Sequence, residues 1–137
     1  MGWIVRPSGL RALLRRLATD YPVRSLYVTE NGAAYTDPPP TAGRVADPER
    51  TRYVAEHLGA AAEAIGDGVP LDGYFAWTLL DNFEWAWGYS RRFGLVHVDF
   101  ATQQRTVKDS GHWYRQFIAQ HQHQGAGPSA AQPGEGC

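Results

Sequence analysis

The residues whose types and spacing could do chemistry are two carboxylates and a set of indoles. Glu84 stands in the run Asp81 to Ser90, DNFEWAWGYS, with Trp85 beside it, Trp87 just beyond and Trp77 upstream, so three of the five tryptophans of the chain lie close to one acid. A sugar ring has apolar C–H faces and a rim of hydroxyls. Flat aromatic faces beside a carboxylate suit it, because the carboxylate accepts from vicinal hydroxyls and an indole N–H donates to another. A well-packed aromatic corner is the alternative, and composition alone leaves the two open. The second carboxylate, Glu30, lies in Tyr27 to Gly32, YVTENG. Asn-Gly is a common turn signal, so in isolation Glu30 reads as a turn residue.

These side chains need elements to hold them. The apolar run Gly73 to Leu80, GYFAWTLL, reads as a strand buried on both faces, as inside a parallel sheet. Ser25 to Thr29, SLYVT, reads as a shorter strand ending at Glu30. Before it, Ser8 is placed to cap a helix with Leu10, Leu13, Leu14 and Leu17 on one face and Arg11, Arg15 and Arg16 off it; Pro22 ends that helix. Thr36 to Gly43, TDPPPTAG, is a stiff connector. Asp47-Pro48-Glu49 opens a second helix with a capping side chain, Val54, Leu58, Ala61 and Ile65 repeat along it, and Gly66 and Gly68 stop it. A hairpin follows the second strand. Asp109 then caps a last helix, where Trp113 and Phe117, and Tyr114 and Ile118, pair one turn apart. Strand–helix–strand flanked by helices is the rhythm of a parallel α/β sheet. From Gln120 onward no apolar face repeats, and disorder is expected.

Composition narrows the function classes. The net charge of −1 gives no reason to expect a nucleic-acid or membrane partner. The single cysteine, Cys137, rules out a disulfide framework within the chain and agrees with a reducing, cytoplasmic location. No segment approaches the roughly 18 apolar residues of a membrane span, and no signal-peptide core opens the chain. His97, in the alternating LVHVDF, reads as a hydrogen-bonded sheet residue; His57 and His112 fall on helices. His121 and His123 are two ligands where a closed metal site needs three or four, so no metal is expected. No glycine-rich phosphate cradle follows a strand.

The two chemical motifs, in this order, resemble glycoside hydrolase family 1, the β-glucosidase-like enzymes, with similarity from Met1 to about Ile118. The resemblance implies the last two strand–helix units of a (β/α)₈ barrel over residues 1–120, an incomplete barrel, followed by a tail over 121–137. It implies that Glu30 is the nucleophile of a retaining hydrolase acting on β-linked glucosides or galactosides. Trp77 would then be the platform under the sugar, Glu84 and Trp85 the hydroxyl contacts, and Phe93 a wall of the pocket, with no cofactor. Departures carry equal weight. The family's acid/base glutamate lies in an Asn-Glu-Pro motif, and none occurs here; the sugar-binding histidine and asparagine of its N-terminal half are also missing. Ile4, Arg6 and Val107 replace an acidic residue, an aromatic one and a proline. The chain is therefore expected to need the N-terminal remainder of a barrel for a complete site. The alternative is a non-catalytic remnant that binds sugar or a partner through exposed aromatics.

Overall fold

The computed structural model describes residues 2–122. Helix α1 spans Pro7–Asp20, strand β1 Leu26–Asn31, helix α2 Pro48–Gly66 and strand β2 Leu71–Ala76. A single 3₁₀ turn, Trp85–Trp87, interrupts the following loop, and strands β3 (Val96–Val98) and β4 (Arg105–Val107) lead into helix α3, Asp109–Gln122. β1 and β2 pair in parallel, with Val28 opposite Tyr74 and Asn31 opposite Ala76. β3 and β4 form the antiparallel hairpin. Beyond β2 the chain continues against the hairpin's approach: the Leu95 amide donates to the Thr78 carbonyl at 2.9 Å and the Asp81 amide to Val96 at 3.0 Å. The described residues hold two two-stranded sheets and no closed one.

One core lies between α1, α2 and the parallel pair, built on Leu14, Val28, Ala64 and Val69. A second joins Tyr53, Val54 and Leu58 of α2 to Trp113, Tyr114 and Phe117 of α3. The expected i, i+4 stack of Trp113 on Phe117 is present, ring centroids 5.5 Å apart. Other details differ from the sequence-based expectation. α1 starts at Pro7 with Arg6 at the N-cap position, and no side chain caps it. Proline's fixed φ and missing N–H make a cap less needed there. Leu13 and Ile65 are exposed rather than core-facing. Asp47 sits at the N-cap of α2 but makes no capping bond; its carboxylate accepts from Arg50 and Ser110 instead. β2 begins two residues earlier than expected and stops at Ala76, and it is not buried on both faces: Phe75 is exposed, as is Leu79 just beyond it. His97 is buried, yet its Nδ1 has no hydrogen-bond partner. α3 runs to Gln122, past the expected start of the tail; His123 and the rest of the tail, to Cys137, lie outside the described residues.

Candidate active site

Parallel pairing puts the C-terminal ends of β1 and β2 side by side. Glu30 is the penultimate residue of β1, and the Trp77 amide donates to the Asn31 carbonyl at 2.9 Å, so Trp77 stands beside the end of β1. The approach is closer than any residue but glycine permits at position 32. A Cβ on Gly32 would lie 1.8 Å from the Trp77 carbonyl oxygen. Asn-Gly here therefore serves strand contact as well as turning. Asn31 is held in turn from below, its Oδ1 accepting from the Tyr74 hydroxyl at 2.7 Å. Burial, with Tyr53 and Tyr114 nearby, raises the Tyr74 phenol and keeps it a neutral donor. Burial also raises Tyr53, partly offset by its hydrogen bond with Asn31.

The segment after β2 supplies the opposite wall. The Glu84 amide donates to the Gly88 carbonyl at 2.7 Å, and the Trp87 amide to the Glu84 carbonyl at 2.8 Å, closing a tight turn around the glutamate. Gly88 takes φ +56 there, a left-handed conformation that suits glycine. Glu30, Gly32, Trp77, Glu84, Phe93 and Trp3 together line one open cleft of about 250 Å³. Four of the five residues singled out in the sequence thus share a cleft. Trp85 does not: it is 82% exposed and lies outside the lining. Trp3, 77% exposed, has no counterpart in the sequence reading, because an indole ahead of Pro7 belongs to no periodic pattern. Trp87 and Tyr89 are also outside the cleft; Arg91 covers the Trp87 ring at 4.6 Å, and Tyr89 packs between Phe83 and Phe100.

A buried ionic network supports that wall. Lys108, the only lysine of the chain, is fully buried; its Nζ donates to Asp37 and to Asp81, the latter at 2.8 Å. Asp81 also accepts from Arg92 at 2.6 Å and from the Gly94 amide at 2.9 Å. Arg50 reaches Asp37 at 2.9 Å, Asp47 at 2.6 Å and the Arg92 carbonyl at 2.7 Å. Burial by itself would raise the Asp81 carboxyl, but Lys108 and Arg92 outweigh it and hold it below the usual carboxylate range. The network brackets the segment that carries Glu84 and Phe93, from Asp81 at one end to Arg92 and Gly94 at the other. Among the described residues no three potential ligands cluster to hold a metal.

Two carboxylates and two indoles around a cleft open to solvent define a surface on which a sugar can stack and be held by its hydroxyls. Comparison with known proteins agrees with that class. The family model of glycosyl hydrolase family 1 matches residues 1–123, and the chain belongs to that family, matching a C-terminal portion of it. It is 52% identical over 118 residues to β-glucosidase A of Thermotoga maritima, covering 86% of this chain and 26% of that protein. It is 54% identical over 114 residues to a β-glucosidase of Agrobacterium sp., covering 83% and 25%. Among solved structures, a psychrophilic β-glucosidase from Micrococcus antarcticus superposes with a TM-score of 0.85 at 59% identity, over 87% of this chain and 26% of that one. These neighbours are barrel enzymes, and the chain spans about a quarter of the length of the relatives it matches.

Proposed function

We propose that the chain is the last two strand–helix units of a retaining β-glucosidase-like hydrolase, acting on terminal β-D-glucosyl or galactosyl residues once the barrel is complete. Glu30 is the nucleophile that attacks the anomeric carbon. Trp77 is the platform under the sugar, Glu84 accepts from its hydroxyls, and Phe93 closes the wall; Trp85 joins them when the loop it sits on is covered. The carrying observation is the shared cleft of Glu30, Trp77, Glu84 and Phe93 at the C-terminal ends of two parallel strands, the end that carries the site in (β/α)₈ enzymes. A retaining mechanism needs a second carboxyl about 5 Å from the first to protonate the leaving oxygen and then activate water. With no Asn-Glu-Pro motif in the chain, that group comes from the N-terminal remainder.

Sugar recognition can be tested on this chain alone. Deoxynojirimycin, which a solved structure holds in the Thermotoga maritima enzyme, is titrated while the tryptophan indole N–H resonances are followed. Saturable shifts that Glu84→Ala abolishes and Leu13→Ala leaves intact are expected. Shifts that are absent, or unchanged in Glu84→Ala, would remove the assignment of the cleft. Binding that survives while every complemented form stays inactive would favour a sugar-binding remnant.

A further inference from the structure

The pair that ends β1 carries a chemical liability of its own. Asn31-Gly32 sets a side-chain amide beside a backbone nitrogen that no Cβ shields. That nitrogen can attack the carboxamide carbon of Asn31. The new C–N bond closes a succinimide, the carboxamide C–N bond breaks, and ammonia leaves with the proton of the Gly32 amide. Water then opens the ring at either carbonyl, giving aspartate or isoaspartate. Water is the only co-reactant, and nothing is oxidised or reduced. A chain can usually escape this chemistry by changing the glycine. Here it cannot, because a Cβ at position 32 would lie 1.8 Å from the Trp77 carbonyl oxygen. The other asparagine, Asn82, precedes Phe83, whose side chain crowds the corresponding nitrogen.

The fold holds Asn31 away from that reaction at two points. Its Oδ1 accepts from the Tyr74 hydroxyl at 2.7 Å, and its carbonyl accepts from the Trp77 amide at 2.9 Å. Its backbone is in the strand, opposite Ala76 of β2. Burial raises the Tyr74 phenol, so the donor persists in mildly alkaline solution, where amide nitrogens attack most readily. Ring closure requires the carboxamide to leave Tyr74 and the backbone to turn out of its extended form, which draws the Asn31 carbonyl off Trp77. The products fall where the cleft is built. Aspartate adds a negative charge next to Glu30, and isoaspartate adds a methylene to the main chain where Gly32 packs on Trp77.

We propose that Asn31-Gly32 is a latent site of self-modification beside the candidate nucleophile, held shut by the Tyr74 and Trp77 hydrogen bonds and reached only when the end of β1 opens. The proposal stands on the geometry around Asn31 and does not need the catalytic reading of Glu30. With that reading, each such event alters the cleft at the residue next to its nucleophile.

The test holds the purified chain in mildly alkaline buffer beside a synthetic peptide of residues 25–44 and follows tryptic digests by mass spectrometry. Cleavage after Arg24 and Arg44 leaves Asn31 as the only asparagine of its fragment, so an amide-to-acid mass gain there reports this site alone. Each hydrogen bond is worth about fivefold in an opening equilibrium, so the native chain should deamidate about 25-fold more slowly than the peptide, or slower still. Tyr74→Phe should recover about fivefold of that rate. Tyr114→Phe removes a hydroxyl from the same core, one bonded to the Tyr74 carbonyl and not to Asn31, and should change the rate less than about twofold. On the unsubstituted chain, which needs no variant to fold, the slowing should be no smaller than the hydrogen-exchange protection of the Trp77 amide. A peptide that does not deamidate, a native chain that matches the peptide, an unchanged rate in Tyr74→Phe, an equal gain from Tyr114→Phe, or a slowing below the Trp77 protection would each overturn the proposal.

Discussion

Replacing Lys108 with methionine should loosen the wall of the cleft before it loosens the sheet beneath. Lys108 is fully buried and donates to both Asp37 and Asp81. Removing one partner of a buried ion pair costs about 3–5 kcal/mol, because a carboxylate is left desolvated and under-compensated. Asp81 keeps Arg92 and the Gly94 amide, and Asp37 keeps Arg50. Those residual partners place the loss near the lower limit, about 3 kcal/mol, or roughly a 100-fold increase in local opening. Hydrogen exchange reads this directly, since the Gly94 and Val98 amides donate to Asp81. Protection there should fall about 100-fold, while β1–β2 amides such as that of Trp77, bonded to Asn31, lose less than about tenfold. The pH dependence follows in sign. A carboxyl held below its ordinary value contributes stability that is complete above the unfolded value of about 3.9 and is lost as pH falls through the lower folded one. The native chain should therefore keep this protection on lowering the pH from 7 to about 5 and lose it only in more acidic solution, whereas Lys108→Met, in which the Asp81 carboxyl is held down less, should already be looser at pH 7 and lose less on acidification. A uniform loss across both sheets, or none at Gly94, would refute the reasoning.

Four further outcomes are expected. Gly32→Ala should destabilise the chain by about 1–3 kcal/mol or more, because the new Cβ meets the Trp77 carbonyl oxygen at 1.8 Å and both sides of that contact are backbone; an unchanged urea midpoint with unperturbed Trp indole resonances would contradict it. The chain alone should hydrolyse aryl β-glucosides no better than its Glu30→Ala variant, since general-acid assistance typically supplies about 10²–10⁴-fold; turnover of an unactivated disaccharide that disappears in the variant would show that another acid is present. In a complemented enzyme, Glu30→Gln should abolish hydrolysis and leave inhibitor affinity largely intact. Glu84→Ala should there lower kcat together with kcat/KM if its hydroxyl contacts strengthen as the ring distorts, and a rise in KM alone would place those contacts equally in ground and transition states.

What was legible in the sequence is what strand ends and helix periods encode. Glu30 and Trp77 lie near the ends of two apolar runs joined by a helix, and parallel pairing makes such ends neighbours, so their meeting follows from topology. The ionic network does not follow. Asp37, Asp47, Arg50, Asp81, Arg92 and Lys108 come from loops and helix starts with no shared period, and each alone reads as an ordinary surface charge. The one available signal was that a chain with a single lysine keeps it directly before the helix start at Asp109. Asp47 was read as a capping residue for the same reason: an Asp-Pro pair looks like a helix start, and the pull of Arg50 and Ser110 is a tertiary fact.

The misjudged burial of β2 is the most informative difference. Gly73 to Leu80 carries the near-continuous apolar character of a strand covered on both faces, yet Phe75 and Leu79 are exposed. Local propensity cannot explain this, because β2 forms and pairs in the expected parallel sense. A free-standing antiparallel pair would alternate apolar and polar residues, as sheets with one wet face do. This strand carries apolar residues on a side that nothing among the described residues covers. Apolar side chains on both faces are what a strand inside a closed sheet carries, as in the barrel enzymes this chain matches over about a quarter of their length. The same logic orders the two open flanks. The α1 flank sets Arg11 and Arg15 against Asp67, whereas the β2–α3 flank leaves an apolar groove open among the described residues.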